Sequence, residues 1–318
     1  MRTRSLAILS AAALSALLLA GCTSTANEAS PSPSATGDAD LCAAVAPSGE
    51  ASEAVTVDGE PGTESTATFT TPLEVTELQT TTVVEGDGDP VQAGDLVQFA
   101  LSAFDGTTGE KLGAQGYNDD LLPVQVSAAS GLGKAIGCAT TGSRLVSVFP
   151  ADEASGTTAQ VYVIDVLGTA ETAAWGDPQE PVDGMPTVEL ADDGAPTVTL
   201  PDGDIPTEFS KATLKKGDGA TVAVGDRVLV QYHGVSWDTG EVFDESWGKQ
   251  PLTFTVGSGV VPGFSDAVTG ETVGSQVIAV LPPSAAYGEK SDTNTSELAG
   301  QTLVFVVDIL AVAHPATQ

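Results

Sequence analysis

Basic side chains are scarce. The 318-residue chain carries 11 Lys and Arg against 43 Asp and Glu, a formal charge of −32. Contact with a phosphate backbone needs clustered cations, so this balance argues against a nucleic-acid partner. The plain reading of the acidity is solubility in an exposed setting. Histidine is scarcer still: His233 and His314 are the only two, and the three cysteines form no CxxC pair. That leaves little from which to build a metal or dithiol centre, and neither a metal nor a cofactor is expected. A Ser-His-Asp hydrolase has no footing, because the chain lacks a GxSxG elbow. Aromatic residues make up 5% of the chain while hydrophobic residues reach 41%. Gly (35) and Pro (19) are frequent, and Val and Thr recur in short runs, which favours strands and turns over long helices.

The N-terminal apolar run, Leu6 to Leu19, follows Arg2 and Arg4. At about 14 residues it is shorter than the roughly 20 of a comfortable bilayer span. It has the n-region and h-region of a secretory signal. It ends in Leu19-Ala20-Gly21-Cys22, which resembles a bacterial lipobox. That resemblance implies a signal peptide over 1–21 and acylation of Cys22, anchoring the protein on the outside of the cell membrane without spanning it. The alternative is an ordinary signal with a chance cysteine. Cys42 and Cys138 remain, and an even pair in an oxidising compartment predicts a disulfide. Two buried free thiols are the other reading.

Residues 22–42 are rich in Ser, Thr, Ala and Pro and read as a disordered tether. Two domains are expected beyond it, 43–170 and 208–314. They are separated by a Pro-, Gly- and acid-rich linker, 171–207, whose PTVEL and PTVTL segments leave open short strands capping a domain, and followed by a short tail, 315–318. The two domains share an internal repeat with a period near 131 residues. Gly94-Asp95 faces Gly225-Asp226, and Thr108-Gly109-Glu110 faces Thr239-Gly240-Glu241. Val161-Tyr162-Val163-Ile164-Asp165-Val166-Leu167 faces Val304-Phe305-Val306-Val307-Asp308-Ile309-Leu310.

In the second copy, Asp226 to Val235 alternates, with Val228, Val230 and Tyr232 on one face and Leu229, Gln231 and His233 on the other. His233 therefore reads as structural. A turn at Trp237 to Gly240 follows, then strands from Glu241 and around Leu252, Phe254 and Val256. Pro262 to Val268 predicts a short helix with Pro in its first turn. Strands at Gln276–Leu281 and Leu303–Val312 complete an α+β fold, an antiparallel sheet against one short helix.

The segments VQYHG, GEVFDESW, FTVGSGVVPGF, VGSQVIAVLPP, SAAYGE and TLVFVVDIL, in this order, resemble the FKBP-type peptidyl-prolyl isomerases over about Lys211 to Ala313. The resemblance implies a twisted sheet wrapped around the helix, with an apolar pocket between them that accepts a prolyl ring. It places Tyr232, Phe243 and Phe305 in the pocket wall, Phe264 at its floor and Asp244 at its edge. Val260 and Val261 precede the helix, the second offering a backbone N–H, and Tyr287 would meet a substrate carbonyl. Phe264 stands where the family often has Trp. The loop at Ser258-Gly259 is about one residue short by the same alignment. Lys290 to Gly300 lacks the family's Ile-Pro motif, and Leu298 is expected to supply the apolar contact there.

In the first copy Leu101, Leu112, Gly113, Leu132 and Ser155 replace Tyr232, Phe243, Asp244, Phe264 and Tyr287. That copy is expected to keep the fold and lack efficient activity. The implied partners are Pro-containing unfolded or exported polypeptides. The alternative function is a non-catalytic extracytoplasmic chaperone or Pro-peptide-binding module.

Overall fold

The computed structural model describes residues 40–118, 121–152, 154 and 156–315. The expected signal peptide, Cys22 and most of the expected tether lie outside these residues, as does Ser155. The first domain runs through α1 (Leu41–Ala44), α2 (Glu50–Glu53), β1 (Thr56–Asp58), β2 (Thr66–Thr68) and β3 (Gln79–Val84). It continues with β4 (Leu96–Asp105), β5 (Lys111–Gln115), β6 (Val124–Gln125), α3 (Gly131–Ile136), β7 (Arg144–Phe149) and β8 (Gln160–Ala170). Its main sheet has the order β3-β7-β8-β4-β5, with β6 also paired to β4.

The chain then forms β9 (Asp177–Pro178), β10 (Thr187–Leu190) and β11 (Pro196–Thr199). The second domain comprises β12 (Ser210–Lys216), β13 (Arg227–Ser236), β14 (Val242–Glu245), β15 (Leu252–Thr255), α4 (Pro262–Val268), β16 (Gln276–Leu281) and β17 (Leu303–Ala313). Its sheet reads β14-β13-β17-β16-β12-β9, with β15 on β13. Apart from the added β9, this is the strand order of the first sheet. Even the bulges correspond: β4 shifts register at Gln98/Phe99 against β8, and β13 shifts at Leu229/Val230 against β17. A bulge tightens the local twist, which helps each sheet curl around its short helix.

Alternation decides what each strand buries. On β13, Val228 and Val230 face the helix and join Phe254, Phe264, Val277, Leu281, Phe305 and Val307 in one core. Each such side chain contributes roughly 1.5–3 kcal/mol on burial. Helix α4 begins with Pro262, whose missing N–H is harmless there. It sits unusually close to the sheet, because a Cβ on Gly263 would lie 2.6 Å from Leu281 Cγ.

The outer faces of both sheets are also covered, and within 171–207 the PTVEL and PTVTL segments form the capping strands β10 and β11. Val188 and Val198 pair across the β10–β11 hairpin. Together with Met185 and Leu200 they pack on Val235, Ile278, Val280, Val304 and Val306 of the second sheet. The prolines mask this in the sequence, but each strand still alternates an inward Val with outward Thr or Glu. The β1–β2 hairpin covers the first sheet likewise, through Val57, Ala67 and Phe69. The same repeat position in each domain anchors a covering segment, the β1–β2 loop in the first and the stretch before β9 in the second. The Asp165 carboxylate accepts from Gly62 N–H at 3.1 Å, and the Asp308 carboxylate accepts from Ala174 N–H at 2.7 Å. In the first domain a fully buried Arg144 completes the join. It donates to Asp165 at 2.6 and 2.7 Å and to the carbonyls of Gly59, Glu60 and Thr63. In the second domain Gln276 takes that place and donates to Asp308 at 2.8 Å.

The described residues include the last part of the expected tether, 40–42. Leu41 is buried, and Cys42 forms a disulfide with Cys138, just beyond α3. The two domains meet in a cluster of their own. Leu96 and Leu122 from the first pack with Leu229, Leu310 and Ala313 from the second, all nearly inaccessible to solvent. Leu229 is thus the β13 residue that faces away from its own core and toward the neighbouring domain.

Candidate active site

The candidate site is a cluster of rings between the second sheet and α4. Tyr232 projects from the middle of β13, Phe305 from β17 and Phe243 from β14, while Phe264 rises from the first turn of α4. Phe264 and Phe305 meet edge to face with centroids 5.0 Å apart. Phe243 meets Phe305 at 5.4 Å, and Tyr232 meets Phe264 at 5.8 Å, both at 90°. These T-shaped contacts direct positive ring edges at negative faces and hold the walls without stacking them shut.

The backbone makes room for this cluster at one point. Gly234 pairs with Asp244 across β13 and β14. A Cβ on Gly234 would lie 2.7 Å from Phe243 Cζ and 3.0 Å from Phe305 Cε1. The final Gly of VQYHG is therefore the surface over which two pocket rings lie. In the first domain the same register pairs Ala103 with Gly113, where Leu112 replaces Phe243 and Tyr162 replaces Phe305.

Two polar groups mark the rim. The Tyr232 hydroxyl donates to Asp244 Oδ2 at 2.5 Å. Partial burial, and then the bond to the Asp244 carboxylate, push the Tyr232 phenol well above its ordinary range, with the nearby Tyr287 phenol adding to the effect. Asp244 itself is half exposed, and Lys249 Nζ lies 3.9 Å away. Tyr287 is 42% exposed on the loop after the turn Pro283–Ala285. That loop is pinned by Asn294, whose side-chain amide donates to the carbonyls of Tyr287 and Glu289 at 2.8 and 2.9 Å. Val260, Val261 and Leu298 are half-buried and pack against the ring cluster. Val261 is the N-cap of α4, and its carbonyl accepts from Phe264 N–H at 3.0 Å. His233 points away from the rings and pairs its Nδ1 with Glu245 at 2.9 Å.

The structure thus brings Tyr232, Phe243, Asp244, Phe264, Phe305, Val260, Val261 and Leu298 to one place, with Tyr287 at its outer edge. Phe254 belongs there too, buried behind Phe264 at 5.4 Å. The sequence marked Phe254 as part of an alternating strand, and only the pairing of β15 with β13 shows which core it enters.

An antiparallel sheet curled on a short helix, with a cluster of aromatic rings between them, is the arrangement expected of a prolyl isomerase. A family model described as FKBP-type peptidyl-prolyl cis-trans isomerase matches residues 219–310. An FK506-binding protein of Streptomyces anulatus is 37% identical over 109 residues, covering 34% of this chain and 88% of that protein. A probable FK506-binding protein of Corynebacterium glutamicum is 36% identical over 95 residues, 30% of this chain and 79% of that protein. Among solved structures, that of FkpA from Escherichia coli is 28% identical, covers 43% of this chain and 54% of its own, and has a TM-score of 0.31. The chain belongs to the FKBP-type peptidyl-prolyl cis-trans isomerase family and is an enzyme of that type.

Proposed function

We propose that the second domain turns over Xaa-Pro bonds of exported, incompletely folded polypeptides by seating the prolyl ring in its aromatic cleft. The observation that carries this is the ring cluster of Phe243, Phe264 and Phe305 beneath the Tyr232–Asp244 hydrogen bond. Rotation about the amide faces a barrier of roughly 18–20 kcal/mol, set by resonance. The planar, charge-separated amide is stabilised by water more than the twisted one. A dry apolar cleft withdraws that advantage and binds the twisted form better. Lowering the barrier by about 5–8 kcal/mol corresponds to a rate gain on the order of 10⁴–10⁶. No nucleophile or proton transfer enters this route. Asp244 and Tyr287 orient the substrate by hydrogen bonds, the Val261 N–H holds its backbone, and Val260 and Leu298 line its approach.

The test is acceleration of a proline-limited refolding reaction by the full chain and by its Asp244→Leu and Tyr287→Phe variants. Slower turnover in both folded variants is the expected result. Rates equal to those of the unaltered chain would remove Asp244 and Tyr287 from the mechanism. The site of action is proposed on separate grounds. The signal-like run and Cys22 support a lipid-anchored protein outside the cell membrane. Cys22→Ala should release it into the soluble fraction, and continued membrane retention would refute the anchor.

A further inference from the structure

The first domain has lost the site residues, yet it has not closed the cleft. A cavity of ≈ 430 Å³ lies at the corresponding place, walled by Phe99, Leu101, Leu132, Phe149, Tyr162 and Ile164. Strand pairing fixes the equivalences. Leu101 lies opposite Ile164 as Tyr232 lies opposite Val307, so Leu101 stands for Tyr232 and Tyr162 for Phe305. Leu132 stands for Phe264 in the first turn of the helix. Three ring positions have shrunk to Leu, with Leu112 in place of Phe243 as the third. On β7, however, Phe149 replaces the Leu281 of β16, and it meets Tyr162 edge to face at 5.4 Å. The apolar lining has been redistributed, and the space beside it is open.

The Tyr232–Asp244 pair is what disappears. Where Tyr232 donates to Asp244, the first domain has Leu101 and Gly113, and nothing lies within 4 Å of a Cβ placed on Gly113. The Tyr162 hydroxyl is engaged by Gln160 beside it. Such a cleft, whose lining also includes Asp152, Thr157, Thr158 and Gln160, can desolvate an apolar side chain but has no counterpart of the Tyr232–Asp244 pair. We infer that the first domain's cleft is a non-catalytic binding site for a proline or aliphatic side chain in an unfolded segment of the polypeptide whose Xaa-Pro bond the second domain isomerises. The occupant follows from the cleft's position, which in the same chain's second domain is the one that takes a prolyl ring. This part of the argument rests on the proposed function. Two sites fixed to one another in one chain make the second contact intramolecular, which raises apparent affinity without any new chemistry. Only a client long enough to reach both sites benefits.

The test compares two substrates on the full-length protein, a proline-containing chromogenic tetrapeptide and a reduced, carboxymethylated ribonuclease that is unfolded at low salt and refolds in a proline-limited step at high salt. Two variants obstruct the first cleft. Leu132→Trp fills it from the helix. Gly131→Leu enters from its exposed mouth, where a Cβ sits 3.7 Å from Phe149 and the fold is less disturbed. Expected is a rise in KM of roughly tenfold on the protein substrate with kcat unchanged, and no change on the tetrapeptide. An unaltered KM on the protein substrate in both folded variants overturns the inference. If the unaltered chain fails to turn over the tetrapeptide, the isomerase reading fails instead. The cleft is then read by fluorescence anisotropy of the labelled ribonuclease on the Asp244→Leu protein. Binding lost on adding Gly131→Leu supports the site, and undiminished binding overturns it.

Discussion

Gly234 shows how one missing side chain sets a site. Its Cα is the only part of the residue that fits beneath Phe243 and Phe305. Gly234→Ala should displace both rings and lower kcat/KM by about tenfold or more, equivalent to at least ~1.4 kcal/mol of transition-state binding. A tetrapeptide assay reads this directly, and full activity with unmoved rings would contradict the packing described. Tyr232 makes a prediction about pH. Its folded-state pKa is raised, so the folded protein holds this proton where the unfolded chain has begun to lose it. The associated stability is fully present below the unfolded value near 10 and is lost as pH rises through the folded value. Denaturant midpoints of Tyr232→Phe and the unaltered protein should run parallel to about pH 10 and then converge or cross. Parallel curves to higher pH would count against the bond to Asp244. The wall rings, Asp244 and the aliphatic contacts were legible because each sits in a short motif of fixed type. Phe254 and the role of Gly234 were not. Their importance lies in what strand pairing places beside them, and that pairing spans long stretches of sequence.

Among the elements, β10 and β11 were legible only as possible capping strands, the PTVEL and PTVTL segments of a linker. Five prolines between 178 and 201 and many acids disguise a hairpin whose inward residues are only Val188 and Val198, aided by Met185 and Leu200. Composition reports the average of a segment, whereas a two-stranded cap needs just one apolar face. By contrast, β13, β17 and α4 announced themselves through strict alternation and a proline at the helix start. Replacing Val188 and Val198 together by Ser should destabilise the second domain by about 1–3 kcal/mol, because their partners on β16 and β17 would lose dry cover. Chemical denaturation followed by Trp237, which packs in the same cluster, is a suitable readout. An unchanged midpoint would mean that the hairpin adds nothing to stability.

At the scale of the whole molecule, the Leu96–Leu122–Leu229–Leu310 cluster joins two domains of like topology. Leu229→Ala should cost about 2–4 kcal/mol, and it should separate the unfolding of the two halves in calorimetry. A single sharp transition at the original temperature would show that the cluster does not couple them. The outer caps carry a further consequence for anyone who divides this protein. A piece cut at the apparent start of the second domain, near residue 208, would leave the apolar back of β16 and β17 bare and deprive Asp308 of its Ala174 donor. Such a piece should be sticky in solution for reasons unrelated to its active cleft. One that begins before Ala174 carries its own cover, so the functional boundary of the isomerase lies more than thirty residues upstream of the family signature, on the order of a quarter of a typical domain.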